Sequence, residues 1–415
     1  MSGSPIGLIK AALNANDAAQ LSEVIVRHPE VKAHINDPVF DFDSPAIVQA
    51  AGRGNRRVMD VLIDAGADIN ARSHWWAGSF GVLDSANKKL AAHLIRRGAV
   101  VDVNAAARLG MLDKVRELVS ANPELVHARG GDGQTPLHVA STVEIAAYLL
   151  ERGADIDARD IDHESTPAQY LIRAHPEVVR YLIEHGCKTD ILMAAALDDE
   201  TLVRRHLDAD PDCIRMTVSD RFFPKQNPRS GGAIYIWTLG GFKSPHRVAK
   251  DARVVKLLMD RSPVDVKLVN ACLLGDGVTA KALAASYTPT PEDAIHVVNA
   301  AERNNTKAVR LLLACGFPVA GAGSTTPLHW AAFHGNVAMA RAILRHEPPL
   351  EQLDPEFQGT PLGWAIYGSE HGWYCKTGSY GGAVEALLKA GAKAPENVGG
   401  TEAVKEVLLR FGARP

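Results

Sequence analysis

The sequence predicts an all-α fold, a solenoid of about eleven stacked helix-turn-helix units, and two recurring landmarks predict it. A Ser-Pro or Thr-Pro pair opens an apolar stretch six times, and neighbouring copies lie 31 and 34 residues apart. The pairs begin at Ser44, Thr135, Thr166, Ser244, Thr326 and Thr360. Glycines form the second landmark and lie about twenty residues after Ser44, Thr135 and Thr166. The spacing of the pairs is typical of repeat proteins.

Each landmark has a physical meaning for a helix. A hydroxyl side chain can accept hydrogen bonds from the first N–H groups of a helix, and proline one place later has its φ angle preset. Glycine can take the left-handed conformation that closes a helix. The predicted closing glycines are Gly66, Gly98, Gly153, Gly186 and Gly391. Each unit should therefore run helix, turn, helix and exit loop.

The domain organisation follows from the repeat, since stacked units share one elongated core. We expect residues 1–415 to form a single solenoid, and the content of 46% hydrophobic and 22% charged residues suits a folded core. The predicted parts are an N-terminal cap (1–36), N-terminal repeats (37–216), an insertion (217–243), C-terminal repeats (244–395) with a second insertion (367–382), and a C-terminal cap (396–415). End caps must show water a polar face.

Charge and cysteine content exclude several classes of function. The net charge of −3 and the scattered basic residues disfavour nucleic acid as a partner. No run approaches the roughly twenty apolar residues of a membrane span, so we expect no membrane contact and a cytoplasmic protein. Five separated cysteines form no C-x-x-C pair, and phosphate-loop and nucleophile-elbow motifs are absent. We therefore expect neither a metal nor a cofactor.

Two segments carry a resemblance to a known family. Thr135 onward reads TPLHVASTVEIAAYLLERGADIDAR, and Thr326 onward reads TPLHWAAFHGNVAMARAILRH. Both resemble the T-P-L-H-x-A-A pattern of ankyrin repeats, here of the bacterial type with aromatic-rich insertions. The resemblance implies that His138 and His329 hold the helix start by hydrogen bonds. It also implies a concave groove and hairpin fingers that contact a partner.

The repeat identifies residues that occupy equivalent positions in successive repeats. In ankyrin repeats the fourth residue after the threonine faces the concave groove. In this chain it is Val48, Val139, Tyr170, Val248, Trp330 and Trp364 in turn. Large aromatic side chains on an open groove are typical of binding surfaces. The alternative is that Trp330 and Trp364 pack beneath a nearby insertion.

The irregular segments add further candidate residues. Long insertions in a compact repeat are usually functional or disordered, and their aromatic content favours order. The candidate ligand-binding residues are Trp75, Trp76, Tyr170, Arg221, Arg229, Tyr235, Trp237, Trp330, Trp364, Trp373 and Tyr374. Glu370, His371 and Asp220 are the candidate catalytic residues, because titratable groups beside aromatic rings suit acid/base chemistry.

Two functions remain open at this point. The first is a binding protein without catalysis, whose groove and aromatic insertions recognise a protein partner or a small polar ligand. The alternative is a hydrolase of the glycoside type, in which the insertions cover an aromatic pocket for a small polar substrate such as a saccharide. The repeat favours the first, since ankyrin-repeat proteins mostly bind other proteins. The partner is not identified by the sequence.

Overall fold

A computed structural model describes residues 5–320 and 325–415, and its regular structure is helical. The chain divides into two compact units, Met1–His206 with Met216–Lys243, and Leu207–Arg215 with Ser244–Pro415. Across the described residues, strand-like pairing is confined to isolated bridges between Phe40 and Ser44 and between Asn397 and Arg414. The predicted all-α class is therefore confirmed. The single solenoid and the count of eleven units stay predictions.

The first unit contains a series of short helices joined by turns. Its α-helices are α1 (Pro5–Ala15), α2 (Ala18–Arg27), α3 (Ala46–Ala51), α4 (Arg56–Asp64), α5 (Val82–Ser85), α6 (Lys88–Arg96), α7 (Val103–Leu109), α8 (Leu112–Ala121), α9 (Val143–Glu151), α10 (Pro167–Leu171), α11 (Pro176–Glu184) and α12 (Ile191–Ala196). Shorter 3-10 helices are Pro29–His34, Asp41–Asp43, Pro123–His127, Gly131–Gly133 and Pro136–Val139, and a π-helical turn spans Ile236–Gly240. The next helix, α13 (Glu200–Ala209), crosses the unit boundary after His206.

The second unit continues the same helix-turn-helix order. Its α-helices are α14 (Pro245–Val248), α15 (Ala252–Arg261), α16 (Val264–Leu274), α17 (Gly277–Ala284), α18 (Ala294–Glu302), α19 (Thr306–Ala314), α20 (Pro327–Phe333), α21 (Val337–Leu344), α22 (Pro361–His371), α23 (Tyr380–Lys389) and α24 (Glu402–Arg410), with 3-10 helices at Pro211–Arg215 and Pro291–Asp293. In the described part of the chain, every helix is too short or too polar to span a bilayer.

The Ser/Thr-Pro pairs begin helices as predicted, but the two serines do not cap them. Thr166 and Thr360 accept hydrogen bonds from the third backbone N–H that follows, at 3.5 and 3.1 Å. Ser44 Oγ is buried without a hydrogen-bond partner, and α3 begins only at Ala46. Ser244 Oγ donates instead to Asn270 Oδ1 at 2.5 Å. The predicted capping role is therefore wrong for both serines.

The histidines of the two T-P-L-H motifs tie each helix start to the next loop. The N–H of Thr135 donates to His138 Nδ1 at 3.1 Å, and His138 Nε2 donates to the Ser165 carbonyl at 3.0 Å. His329 makes the same arrangement and donates to the Gly359 carbonyl at 3.1 Å. Burial lowers the pKa of His138 to about 4 and also lowers that of His329, so both rings are neutral near pH 7. Their predicted structural role is confirmed.

The closing glycines have the predicted conformation. All five have φ between 89° and 105°, in the left-handed region that other residues adopt only with strain. Buried apolar side chains form one core cluster from Leu268 to Ala413 in the second unit and another from Ile9 to Ala105 in the first. Alanines of the inner helices, such as Ala331 and Ala332, belong to the same cluster as outer-helix residues such as Ile343 and Leu387. The small inner side chains let neighbouring repeats stack closely.

The structure shows how the first insertion closes and gives the second insertion narrower bounds than predicted. The first begins and ends side by side, because the Phe242 N–H donates to the Val218 carbonyl at 2.7 Å. The second is shorter than predicted, since α22 continues to His371 and only residues 372–379 lie outside helices. The helix can continue because Gly368 has no side chain. A Cβ there would lie 2.7 Å from the Phe333 carbonyl oxygen.

Candidate functional site

Three predicted tryptophans meet in the second unit. The ring centroid of Trp330 on α20 lies 5.2 Å from that of Trp364 on α22 and 5.7 Å from that of Trp373 in the second insertion. Four more rings complete what we name the aromatic patch, which consists of Trp330, Phe333, His334, Phe357, Trp364, Trp373 and Tyr374. Trp330 and Trp364 occupy the same position in adjacent repeats, and the structure places them in contact.

The inner helix α20 fixes one side of the patch. Phe333 lies three residues after Trp330, on the same face of the helix, and its ring centroid is 5.7 Å from that of Trp364 and 5.6 Å from that of Trp373. The ring of His334 stacks on Trp330 at 5.9 Å, and its Nε2 donates to the Glu302 carbonyl at 2.9 Å. These contacts hold the rings in defined orientations.

A buried carboxylate fixes the other side. Asp354 is fully buried and accepts hydrogen bonds from the Phe357 N–H at 2.7 Å, the Gly359 N–H at 2.7 Å and Trp364 Nε1 at 2.9 Å. Burial raises the pKa of Asp354, but these hydrogen bonds outweigh it and hold the pKa below its ordinary value. The loop that carries Phe357 is therefore locked to the ring of Trp364.

The patch is open to solvent at its edge. Trp330 packs against Trp373 of the second insertion, which agrees with the alternative that Trp330 lies beneath a nearby insertion. The insertion nevertheless leaves Trp373 65% and Phe357 69% exposed, while Trp330 and Trp364 are half-buried. The rings thus form a surface anchored from below.

The candidate catalytic residues lie in exposed positions. Glu370 and His371 end α22 with 49% and 56% of their side chains exposed, and His371 Nε2 lies 3.9 Å from Glu370 Oε2. Asp220 is exposed in the first insertion and belongs to the other unit. Each unit thus holds part of the candidate set, and its catalytic role stays a prediction.

Tyr235 in the first insertion is a core residue. Its side chain is fully buried, its hydroxyl donates to Asp190 Oδ2 at 3.0 Å, and its ring meets the edge of Phe223 at 5.4 Å. Burial raises the pKa of both Tyr235 and Asp190. The prediction that Tyr235 offers a face to a ligand is wrong. Trp237, two residues later, is 72% exposed.

The predicted arginines lie over aromatic rings. The guanidinium of Arg229 lies 4.5 Å from the ring centroid of Trp76, and that of Arg221 lies 5.3 Å from Phe222. Both contacts are of the cation–π kind, and both arginines are exposed. The first links the insertion to the loop that carries Trp76.

Two other predicted residues bond to neighbouring carboxylates. Trp75 Nε1 donates to Asp132 Oδ1 at 3.1 Å, and the Tyr170 hydroxyl donates to Asp160 Oδ2 at 2.8 Å. Both side chains are half-buried, so their polar atoms serve contacts within the first unit.

A cavity of about 310 Å³ lies where the first insertion meets the repeat loops. Glu164 closes one side by accepting the N–H groups of Gln226 at 2.9 Å and Asn227 at 2.7 Å. The residues that line the cavity include Arg159, Lys188, Thr189, Phe223 and Lys225. The cavity is polar and open, and Glu164 and three basic residues surround it.

Sequence reasoning missed Phe333, His334 and Phe357 as members of the patch. Phe333 and His334 follow Trp330 by three and four residues, so the helical period could have identified them. Phe357 lies on a loop, where no period relates it to the tryptophans.

The chain belongs to the ankyrin-repeat family. The family model for ankyrin repeats, described as three copies, matches residues 103–193, 246–347 and 297–396, which together make up more than half of the chain. Ankyrin-repeat domains are protein-interaction modules that present extended concave surfaces and ordinarily lack catalysis.

Curated relatives match limited stretches of this chain. The chain is 28% identical over 138 residues to ankyrin repeat and SAM domain-containing protein 6 of Mus musculus, covering 31% of this chain and 16% of that protein. It is 51% identical over 75 residues to serine/threonine-protein kinase VIK of Arabidopsis thaliana, covering 17% of each. The chain spans less than a fifth of the length of these relatives. The crystal structure of the human ASB11 ankyrin repeat domain matches 71% of this chain and 99% of its own, with 17% identity and a TM-score of 0.26.

Proposed function

We propose that the chain is a protein-binding module that holds a segment of a partner protein on the aromatic patch and catalyses no reaction. The observation that carries the proposal is the exposure of Trp373 and Phe357 above the anchored rings of Trp330 and Trp364. Tryptophan and tyrosine dominate the energetics of protein interfaces, because large rigid rings bury much area at little entropic cost.

The chemistry of the patch defines the kind of partner. Its exposed surface consists of ring faces and edges, so the partner segment should present an apolar or aromatic anchor side chain. Asp354 and His334 already fix the orientations of Trp364 and Trp330, so few ring rotations are lost on binding. Affinity therefore comes from a preorganised surface.

The absence of catalysis is part of the proposal. Glu370 and His371 are about half exposed, whereas an acid/base pair needs a site that holds substrate and excludes water. Exposed charged groups beside an aromatic cluster suit the polar rim of an interface.

A cytoplasmic location is also proposed, because Cys187, Cys213, Cys272, Cys315 and Cys375 are all free thiols. Fractionation of cells that express the tagged chain tests it. Recovery outside the cytoplasmic fraction would contradict it.

Peptide selection tests the binding surface. A displayed library of random dodecapeptides is selected on the immobilised full chain, and the enriched peptides are titrated against wild type and Trp373→Ala. We expect Trp373→Ala to weaken binding at least about tenfold, which corresponds to about 1.4 kcal/mol. Trp237→Ala is the matched control, since it removes an equally exposed tryptophan from the other unit.

The affinities of the two variants decide whether the aromatic patch is the binding surface. Selective loss with Trp373→Ala supports the proposal, provided that circular dichroism shows the variant to be folded. Equal affinity for Trp373→Ala and wild type, or loss with Trp237→Ala alone, overturns it. Failure to enrich any peptide that depends on Trp373 overturns it as well.

A further inference from the structure

Three side chains from two neighbouring repeat loops converge in the first unit. Asp132 lies in the turn Gly131–Gly133, and Asp162 and His163 lie in the next loop. His163 Nε2 is 3.7 Å from Asp132 Oδ2 and 3.6 Å from Asp162 Oδ2. One ligand atom from each of the three residues lies within 4.8 Å of the others.

The backbone holds these loops in register. The N–H groups of Ile161 and Asp162 donate to the Asp132 carbonyl at 2.9 and 3.1 Å. The first insertion joins them, because Ser230 Oγ donates to the Asp162 carbonyl at 2.5 Å. The cluster therefore lies at a junction of three chain segments.

Both carboxylates are oriented by a hydrogen bond on the oxygen that faces away from the gap. Trp75 Nε1 donates to Asp132 Oδ1 at 3.1 Å, and the Gly231 N–H donates to Asp162 Oδ1 at 3.2 Å. In each carboxylate Oδ2 is left to face the histidine. The side chains of Asp132 and Asp162 are only 15% and 8% exposed.

The histidine is oriented in the same way. His163 Nδ1 lies 2.8 Å from the Gly232 carbonyl, which can only accept, so Nδ1 carries a proton. The side chain is nine-tenths buried, and Nε2 points at the two carboxylates. Its distances of 3.6 and 3.7 Å to the carboxylate oxygens exceed the range of about 2.7–3.2 Å for such bonds. Nε2 is thus the ring nitrogen that faces both carboxylates.

The two separations of 3.6 and 3.7 Å are close to the edge length of a metal coordination sphere. A tetrahedral Zn²⁺ ion with bonds of about 2.0–2.2 Å to nitrogen and oxygen separates its ligand atoms by roughly 3.3–3.5 Å. Metal-bound histidines commonly donate the other ring N–H to a carbonyl or carboxylate, as His163 does to Gly232. Three protein ligands leave the fourth position for a water molecule.

We propose that Asp132, Asp162 and His163 bind a divalent transition-metal ion of the zinc type, which fastens the two repeat loops and the first insertion together. A dication would balance the carboxylates gathered there, which include the buried Asp160 beside them. The sequence offered no metal motif because the two aspartates lie 30 residues apart, in successive repeats.

Metal titration of the chelator-treated full chain tests this site. We expect zinc chloride to bind with one-to-one stoichiometry in calorimetry and to raise the melting temperature by mass action. His163→Gln and Asp132→Asn should each lower the affinity at least about tenfold. His34→Gln is the matched control, since His34 Nδ1 lies 2.7 Å from Asp37 in an exposed pair that belongs to no three-ligand group of the described residues.

Several results would overturn the proposal. Wild-type protein that shows no saturable one-to-one binding excludes the site. Unchanged affinity in His163→Gln places any bound metal elsewhere. If that variant does not fold, the absorption spectrum of Co²⁺ bound to wild type decides, because a tetrahedral nitrogen and oxygen site gives intense visible bands and an adventitious octahedral one does not.

Discussion

The two insertions of this repeat protein differ in where they place their aromatic side chains. In the first, residues 217–243, the side chain of Tyr235 points into the core of its unit and is fully buried. The second, residues 372–379, leaves Trp373 65% exposed on top of Trp330. An insertion can therefore either extend the internal structure of a repeat protein or present a surface.

Backbone hydrogen bonds explain the difference. The first insertion is held along its length, since Glu164 accepts the N–H groups of Gln226 and Asn227, and Ser165 Oγ accepts that of Ile234 at 3.0 Å. In the second, the Ser379 N–H donates to the Gly335 carbonyl at 2.9 Å, at the start of α23. The first insertion is thus bonded to the repeat loops, whereas the N–H groups of Cys375, Thr377 and Gly378 in the second bond within that insertion.

The largest effect should come from removing the buried tyrosine. Tyr235→Ala leaves a cavity and takes the hydroxyl donor from Asp190, so we expect the free energy of unfolding to fall by about 3–5 kcal/mol. Urea denaturation measures the loss, and amide exchange assigns it to the first unit. Trp237→Ala, at 72% exposure, should change stability by less than about 0.5 kcal/mol. Equal losses in the two variants would contradict the division between buried and exposed rings.

A somewhat smaller effect is expected at the loop that supports the aromatic patch. Asp354→Ala removes the acceptor of the Phe357, Gly359 and Trp364 N–H groups and should cost about 2–3 kcal/mol in the second unit. Glu356→Ala, exposed in the same loop, is the control. Tryptophan fluorescence should shift to the red in Asp354→Ala only. An unshifted spectrum would show that Asp354 does not position Trp364.

The helices could be predicted from the sequence because their signals are local. Ser/Thr-Pro pairs and left-handed glycines act within one turn of backbone, and the T-P-L-H histidines bond to the loop that follows one repeat later. The contact between Trp330 and Trp364 was also accessible, because a repeat converts a fixed spacing along the chain into adjacency in space.

The positions of the side chains in the insertions could not be predicted from the repeat spacing. They have no period, so nothing in the sequence said that Tyr235 faces inward and Trp237 outward. Asp132 and His163 meet through loop geometry, and Phe357 reaches Trp364 from a loop whose position depends on the buried Asp354. Such contacts depend on tertiary packing, which composition and spacing do not encode.

A smaller effect is expected when the first insertion is loosened from the repeats. Glu164→Gln weakens the charged acceptor of the Gln226 and Asn227 N–H groups, which should cost about 1 kcal/mol. Trypsin should then cleave faster after Lys225, because local opening of the insertion becomes more frequent. Glu200→Gln, an exposed change on α13, should leave the cleavage rate as in wild type. Equal rates in all three proteins would show that Glu164 does not hold the insertion.

The subtlest difference between the two units should be in their response to pH. The pKa of Asp354 is lowered in the folded chain, so its contribution to stability is present above the ordinary carboxyl pKa of about 4 and is lost as the pH falls below it. Burial raises the pKa of Asp190, so its contribution has the opposite sign and is lost as the pH rises above the same value. Urea midpoints of wild type, Asp354→Asn and Asp190→Asn, taken from about pH 3 to about pH 7, should therefore diverge in opposite directions. Parallel curves for the two variants would mean that the carboxylates beneath the exposed and buried rings do not differ in environment.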